Sequence, residues 1–250
     1  GMQTWDYSTL QVHDSSGYVF TNPSWTPNGS SFPTANLAAD ATNGQYIYLN
    51  RSSTEISLVG YYVDFNGNGA EAIVLDDPDK IVEFPSTLGT TWQDNSRLYY
   101  KTTGAAIGQP AIDSVELIQL IEKDVNVDAY GNVTIPMGTY PSVRANIQTT
   151  QYDSTRIYVT VLGGWQAYTV DTLQGQSYEF YTDDQDIRFA LVTLDMDDQG
   201  NVGEARYLGS TTIVDGIEEE SNNPLNVYPN PTTGIVNIDT ETGNNILVLD

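Results

Sequence analysis

The sequence predicts an all-β protein whose main body, residues 1–213, is an antiparallel β-sandwich or two closely packed β-lobes meeting near residues 104–112. Three observations carry that prediction. Val, Ile, Tyr and Thr alternate with polar residues at a two-residue period along the chain. Gly, Asn, Asp and Pro punctuate these runs at short intervals, and no long stretch holds a convincing helical period. The chain has 250 residues, 39% of them hydrophobic, which is enough to bury a sizeable core.

Residues 45–50 and 54–62 flank the polar turn Arg51-Ser52-Ser53 and predict a hairpin. Ala72 to Leu75, Lys80 to Phe84 and Leu98 to Thr102 follow as strands. The segment from Val115 to Val127 is ambiguous, because Ile112, Val115, Ile118 and Ile121 fit a helical face while Val115, Leu117, Ile121, Val125 and Val127 fit a strand face. A strand is expected, since a turn signal follows at once. Further strands are expected near Val133 to Ile135, Val143 to Gln148, Arg156 to Leu162, Gln166 to Val170, Ser177 to Thr182, Ile187 to Met196 and Val202 to Leu208. Asp128-Ala129-Tyr130-Gly131-Asn132-Val133 and Asp197-Asp198-Gln199-Gly200-Asn201-Val202 share the pattern Asp-x-x-Gly-Asn-Val. Both predict hairpin turns, in which aspartate accepts backbone N–H bonds and glycine takes the left-handed position. No fixed period suggests a solenoid or a propeller.

Composition narrows the functional classes. Nine Lys and Arg stand against 33 Asp and Glu, a formal net charge of −24. No basic patch of the kind that releases counterions from phosphates is expected, so nucleic acid is excluded as a partner. Charged residues make up 17%, below the roughly 25% of ordinary soluble domains, so the surface must be rich in Ser, Thr, Asn, Gln and Tyr, as in secreted β proteins. No run approaches the roughly 18 apolar residues of a membrane span. Cysteine is absent, which removes disulfides, thiolate chemistry and Cys-type zinc sites together. Gly1-Met2-Gln3-Thr4-Trp5 reads as an expression scar or start codon joined to a mature N-terminus from which a signal peptide was trimmed; the alternative is a cytoplasmic protein that starts at Met2.

Residues 214–223, with the acidic stretch Gly216-Ile217-Glu218-Glu219-Glu220-Ser221-Asn222-Asn223, read as a linker. After them comes Leu225-Asn226-Val227-Tyr228-Pro229-Asn230-Pro231-Thr232-Thr233-Gly234-Ile235-Val236-Asn237-Ile238-Asp239: a short strand, a rigid Pro-Asn-Pro turn, a glycine and an alternating second strand. This order resembles the opening of the C-terminal sorting domain that Bacteroidota attach to cargo of their type IX secretion system, with Val227, Tyr228, Pro229, Asn230, Pro231 and Gly234 carrying the motif. The resemblance implies a truncated sorting-domain fragment over 224–250, with Ile246 to Leu249 as its third strand. It also implies the type IX secretion machinery as a partner, and a protein that is secreted or attached to the outer-membrane surface. Lys80 to Pro85 and Asp128 to Arg144 are similar to segments of uncharacterised secreted Bacteroidota proteins that end in the same domain. That similarity implies the same compartment, a β fold and Trp92 as a structural plug, and it implies no activity.

Residues suited to carry chemistry are few. The sole histidine, His13, lies too close to Ser15 and Ser16 in an extended segment to face them as a triad requires, and reads as a solvent-facing loop residue. Asp76-Asp77-Pro78-Asp79 and Asp183-Asp184-Gln185-Asp186 gather acids, but sequence neighbours rarely supply the opposed pair of a glycosidase, and both read as solvated turns. Asp64, Asn66 and Asn68, with Gly69 sixth, match the first half of a calcium loop, while Leu75 stands where a bidentate Glu belongs. Asp195 opens a similar pattern that ends on Arg206. No resident cofactor is therefore expected, and calcium is the one candidate ion. Trp25, in a proline-flanked loop, and Trp165, after Gly163-Gly164, are the candidate ligand-binding residues, against the plainer reading that both are structural anchors. Asp113-Ser114-Val115, Asp153-Ser154-Thr155 and Asp171-Thr172-Leu173 resemble the O-glycosylation acceptor of Bacteroidota, although such triplets arise by chance in this composition. The expected function is an exported or cell-surface, non-catalytic binding module for glycans or other extracellular polymers. The rivals are a carbohydrate-active hydrolase with an Asp pair from distant strands, and a structural surface protein with no small ligand.

Overall fold

The computed structural model describes residues 1–212 except 42, 185 and 188, together with the backbone of 226–228 and 237–239. The strands are β1 (Gln3–Asp6), β2 (Val19–Thr21), β3 (Leu37–Asp40), β4 (Tyr46–Arg51), β5 (Glu55–Val63), β6 (Glu71–Glu83), β7 (Thr91–Thr103), β8 (Ser114–Ile135), β9 (Gly138–Val159), β10 (Gly164–Tyr181), β11 (Val192–Met196) and β12 (Val202–Tyr207), with β13 (Asn226–Tyr228) and β14 (Asn237–Asp239). The chain divides into two compact units, Gly1–Thr211 and Thr212–Asp250. In the second, β13 and β14 pair antiparallel, Asn226 opposite Asp239 and Tyr228 opposite Asn237. Pro229, Asn230, Pro231 and Gly234 of the sorting-like motif, and the expected strand at 246–249, lie outside the described residues.

The first unit is all-β. From β2 to β12 each strand pairs antiparallel with the next in sequence, and β1 alone pairs parallel, with β8. The two longest strands, β8 and β9, hold 22 residues each. They meet through one long ladder, from Ser114 opposite Tyr158 to Ile135 opposite Gly138. The ladder is thinnest between β6 and β7, where the register records only Asp77 opposite Arg97. Near that seam the sheet folds over. Leu58 and Tyr61 of β5 line one small cavity with Gln119 and Ile121 of β8, although two strands separate β5 from β8 in the ladder. In a flat sheet these strands would stand about 14 Å apart, so the sharing of a cavity marks two facing layers.

Apolar residues fill the space inside in several patches. Val133, Ile135, Phe180, Leu191, Val192 and Leu194 form one core, with Trp5 and Tyr7 packed on it. Trp5 and Tyr7 meet Phe180 edge-on at 5.0 and 5.7 Å. Leu49, Leu58 and Leu75 form another, and Ile73, Leu98 and Tyr100 bridge β6 to β7. Trp92 is buried with Val125, Ala145 and Ile147, the plug that the sequence suggested. Full burial of side chains of this size contributes about 1.5–3 kcal/mol each.

Several expectations require correction. The segment from Asp128 to Val133 is not a turn. β8 runs through it with a bulge between Val127 and Ala129, because the Asp128 carboxylate is held by the Arg144 guanidinium at 2.8 and 2.9 Å rather than by its own backbone. Arg144 also lies 4.6 Å from the Tyr178 ring and 5.8 Å from Trp5, which fixes the start of the chain against β8. The second copy of the pattern is a turn, with Asp197 Oδ1 accepting the Gln199 and Asn201 amides and Gly200 at φ 79°. Residues 104–112 are no lobe boundary, since they connect β7 to β8, and all of β7 pairs with the first half of β8; the narrow seam lies at β6–β7. The expected strands at 72–75 and 80–84 are one strand, β6. Pro78, which has no N–H to give, sits where the β5 partner jumps from Asp79 to Val74. Asp76 to Asp79 therefore lie in a strand, not in a turn. Residues 187–191 precede β11 rather than belonging to it.

Gly131 is where β1 crosses closest to β8. A Cβ there would stand 2.0 Å from the Gln3 carbonyl oxygen, so any side chain must push β1 away. Gly131→Ala is expected to destabilise the protein by about 2 kcal/mol, read as a lower urea midpoint with an unchanged slope. Gly200→Ala, strained only by its left-handed φ, should cost about 1 kcal/mol. Equal midpoints for Gly131→Ala and the parent would contradict the close approach.

Candidate functional site

The long ladder places a set of rings and charges on the solvent-facing side of β7 to β10. Residues directly opposite each other in a ladder share a face. One row is Lys101, Glu116, Arg156 and Ala167; the next is Ser114, Tyr158 and Trp165; further rows hold Tyr99, Ile118 and Ser154, then Arg97, Leu120 and Tyr152. Three of the nine cations in the chain, Arg97, Lys101 and Arg156, lie on this one face. The reverse side of the same strands carries Leu98, Tyr100 and Leu117, packed inward.

Glu116 is the centre of the charged row and is 8% exposed. Its carboxylate accepts from the Tyr99 hydroxyl at 2.7 Å, with the Lys101 ammonium at 3.5 Å and the Arg156 guanidinium at 3.7 Å. The bond to Glu116 raises the Tyr99 pKa above its ordinary value. Both cations also approach the Trp165 ring, at 4.9 Å for Lys101 and 5.4 Å for Arg156, while Tyr158 meets it edge-on at 5.4 Å. Trp165 is thus half-buried and fixed, with its ring beside two donors and one carboxylate. Arg97 lies over Tyr99 at 5.9 Å and pairs with Asp76, and the Tyr152 hydroxyl bonds Glu122 at 3.3 Å. Leu120, Tyr152, Tyr168 and Val170 are exposed around this core. Such a face presents ring surfaces to C–H groups and both donors and acceptors to hydroxyl groups.

The other predicted residues are not brought here. Trp25 is 81% exposed at the end of the 3-10 turn Pro23–Trp25, which Asn22 caps by accepting the Ser24 amide. Asp64, Asn66 and Asn68 lie in the β5–β6 loop with their groups committed to the protein. Asp64 Oδ1 accepts the Gly67 amide at 2.6 Å and Asn66 Oδ1 accepts the Asn68 amide at 2.9 Å. The Asn66 side-chain amide donates to Tyr100 at 2.7 Å and to Glu71 at 3.1 Å, and that of Asn68 donates to the Ala106 carbonyl at 2.5 Å. The loop is stitched to β7 and the turn beyond it. Among the described residues no cluster of three or more acids, histidines or cysteines is arranged to hold a metal. His13 is exposed. Asp76 pairs with Arg97 and Asp79 with Lys123, while Asp184 caps its own loop, so neither acidic run supplies two carboxyls opposed across a cleft. Two small cavities among the described residues, one beside Asp79 and one beside Trp92, offer about 20 and 10 Å³, room for about one water. Ser114, Ser154 and Thr172 of the modification-like triplets all fall on the outer face.

Sequence reasoning named Trp165 but missed Tyr99, Lys101, Glu116, Arg156 and Tyr158, because they become neighbours only through strand register. The alternation Arg97-x-Tyr99-x-Lys101 was the one signal available.

One half-buried acid lies apart from this face. Burial raises the Glu179 pKa, against the Tyr181 hydroxyl bond and the charges of Lys123 and Arg206, which favour the ionised form. A carboxyl with a raised pKa is protonated more readily when folded. It therefore adds stability as pH falls through the raised value toward the ordinary glutamate pKa of about 4.3, and withdraws it above. Glu179→Gln is expected to melt higher than the parent at neutral pH, with the gap closing as pH falls toward that range; a gap that widens on acidification would refute the burial argument. Calcium is expected to leave the melting temperature unchanged between chelator and millimolar ion, since Leu75 stands where the closing bidentate ligand belongs. A rise abolished by Asp64→Ala would reverse that reading.

No family model, curated protein or solved structure matches the chain, so the reading of this face rests on its own geometry.

Proposed function

We propose that the protein is an exported or surface-attached, non-catalytic binding module whose outer β7–β10 face takes a glycan or a similar extracellular polymer. The observation that carries the reading is Trp165, held against Tyr158 between Lys101 and Arg156 on an open strand surface. Sugar rings offer flat C–H faces that pack on such rings, while hydroxyl groups bond to the flanking charges. Small ligands favour concave sites of several hundred Å³, whereas the Trp165 face is an open strand surface, which favours a chain-like ligand laid across strands. Export rests on the sorting-like motif from Val227 to Gly234 and on a cysteine-free, Tyr- and Asn-rich composition.

A glycan-array screen paired with a polysaccharide-hydrolysis assay tests the binding reading. Binding without turnover is expected, with Trp165→Ala weakening it at least about tenfold, or about 1.4 kcal/mol, while the melting temperature holds. Reducing-end release that vanishes on mutation of an acid pair would make the protein a hydrolase, and blanks in both assays would make it a structural surface protein. Export is tested in a Bacteroidota host with an active type IX system: Pro229→Ala combined with Pro231→Ala should retain the chain inside the cell envelope.

A further inference from the structure

We propose that Lys123 and Asp79 form an intramolecular isopeptide bond, a covalent cross-link between β8 and β6. The Lys123 Nζ stands 2.5 Å from Asp79 Oδ1, and the two side chains are 11% and 17% exposed. Nζ also donates to the Lys80 carbonyl at 3.0 Å, which leaves the amine held by two acceptors rather than free to sample solvent. The partners belong to strands that are not ladder neighbours, so the pair spans β7 on the inner side of the fold.

A third carboxyl completes the constellation. Asp94, opposite Lys123 in the β7–β8 ladder, hydrogen-bonds the Asp79 carboxyl. Its Oδ2 accepts the Lys80 amide at 2.7 Å, which holds it in place. The surroundings are mostly apolar, with Ser96 and Gln119 as the other polar side chains at the cavity. Trp92 lies 5.9 Å from Nζ, and the cavity beside Asp79 is lined by Leu58, Tyr61, Leu75, Leu98 and Ile121. Burial is the main cause that raises the Asp79 pKa and so favours the neutral carboxyl, which is the electrophilic form.

The chemistry needs no outside reagent. Within the ion pair, the ammonium passes a proton to the Asp79 carboxylate, which gives an amine and a carboxylic acid. The Nζ lone pair attacks Cγ, Asp94 takes a proton from nitrogen and returns it to the departing hydroxyl, and a C–N bond replaces the C–O bond as one water leaves. The cavity at Asp79 has room for about one water. The link also falls where a staple matters most, beside the single Asp77–Arg97 rung that joins β6 to β7, in a chain with no cysteine to make a disulfide.

Intact-mass measurement of the full chain under denaturing conditions tests the proposal. The expected mass is lower than the sequence mass by one water, and trypsin should leave Lys123 uncut and yield a branched peptide joined to the Asp79 segment. Lys123→Arg, which keeps the charge but lacks the nucleophile, should show the full sequence mass and melt lower by of order 10 °C. Asp94→Ala should likewise show the full mass while Lys123 and Asp79 remain. A parent chain of full sequence mass that is cleaved at Lys123 overturns the proposal, as does a water loss that persists in Lys123→Arg.

Discussion

The register of the β8–β9 ladder is the constraint on which the rest depends. β8 is long enough to take part in three associations: it pairs with β7 along its first half, with β1 along its second and with β9 along both, while β9 joins β8 to β10. A slip of one residue would exchange the faces of every side chain on these strands. It would turn Leu117, Ile121 and Val125 to solvent and bring Glu116, Arg156 and Tyr158 inside. The apolar inner face therefore enforces the register, and the outer face, with its charges and rings, is what that register leaves to solvent.

The same economy explains the start of the chain. β7 ends its pairing opposite Asn126, so the edge of β8 beyond it would be open. β1 fills that edge in parallel, Gln3 beside Gly131, and delivers Trp5 and Tyr7 to Phe180. Edge protection and core filling are thus one event, and the missing side chain at Gly131 is its steric condition. At the other side, β11 covers only Gln176 to Phe180 of β10, and among the described residues no strand pairs with the remainder of that edge. That exposed stretch borders the Trp165 face.

Charge is distributed to match. A chain of net charge −24 places three of its nine cations on one outer face, where each approaches a ring and an acid. Exposed ion pairs such as Arg97–Asp76 contribute about 0–1 kcal/mol, too little to explain the clustering as stabilisation. Inside, Lys123 and Asp79 meet away from water, where a pair of charges is costly; the Lys80 carbonyl and the Trp92 ring flank the Lys123 amine, and the proposed amide would remove both charges.

The sequence by itself determined the class. Two-residue alternation is imposed by the geometry of a strand with one wet face, so β5, β12, the end of β7 and the first half of β8 were legible in the sequence, and so was the choice of strand over helix at Val115 to Val127. The split of Tyr99 and Tyr100 between two faces follows from the same rule, whereas the burial of Trp92 was implied by the resemblance alone. Tertiary structure decided what local pattern leaves open. Asp-x-x-Gly-Asn-Val makes a turn at Asp197, where the carboxylate is free to accept its own backbone, and a bulged strand at Asp128, where Arg144 takes it. Strand lengths were underestimated because bulges let β6 and β8 continue past residues that normally stop a strand. The site was legible only at Trp165. Its companions lie 7 to 66 residues away, and cross-strand register, fixed by the burial of the opposite face, is what brings them together.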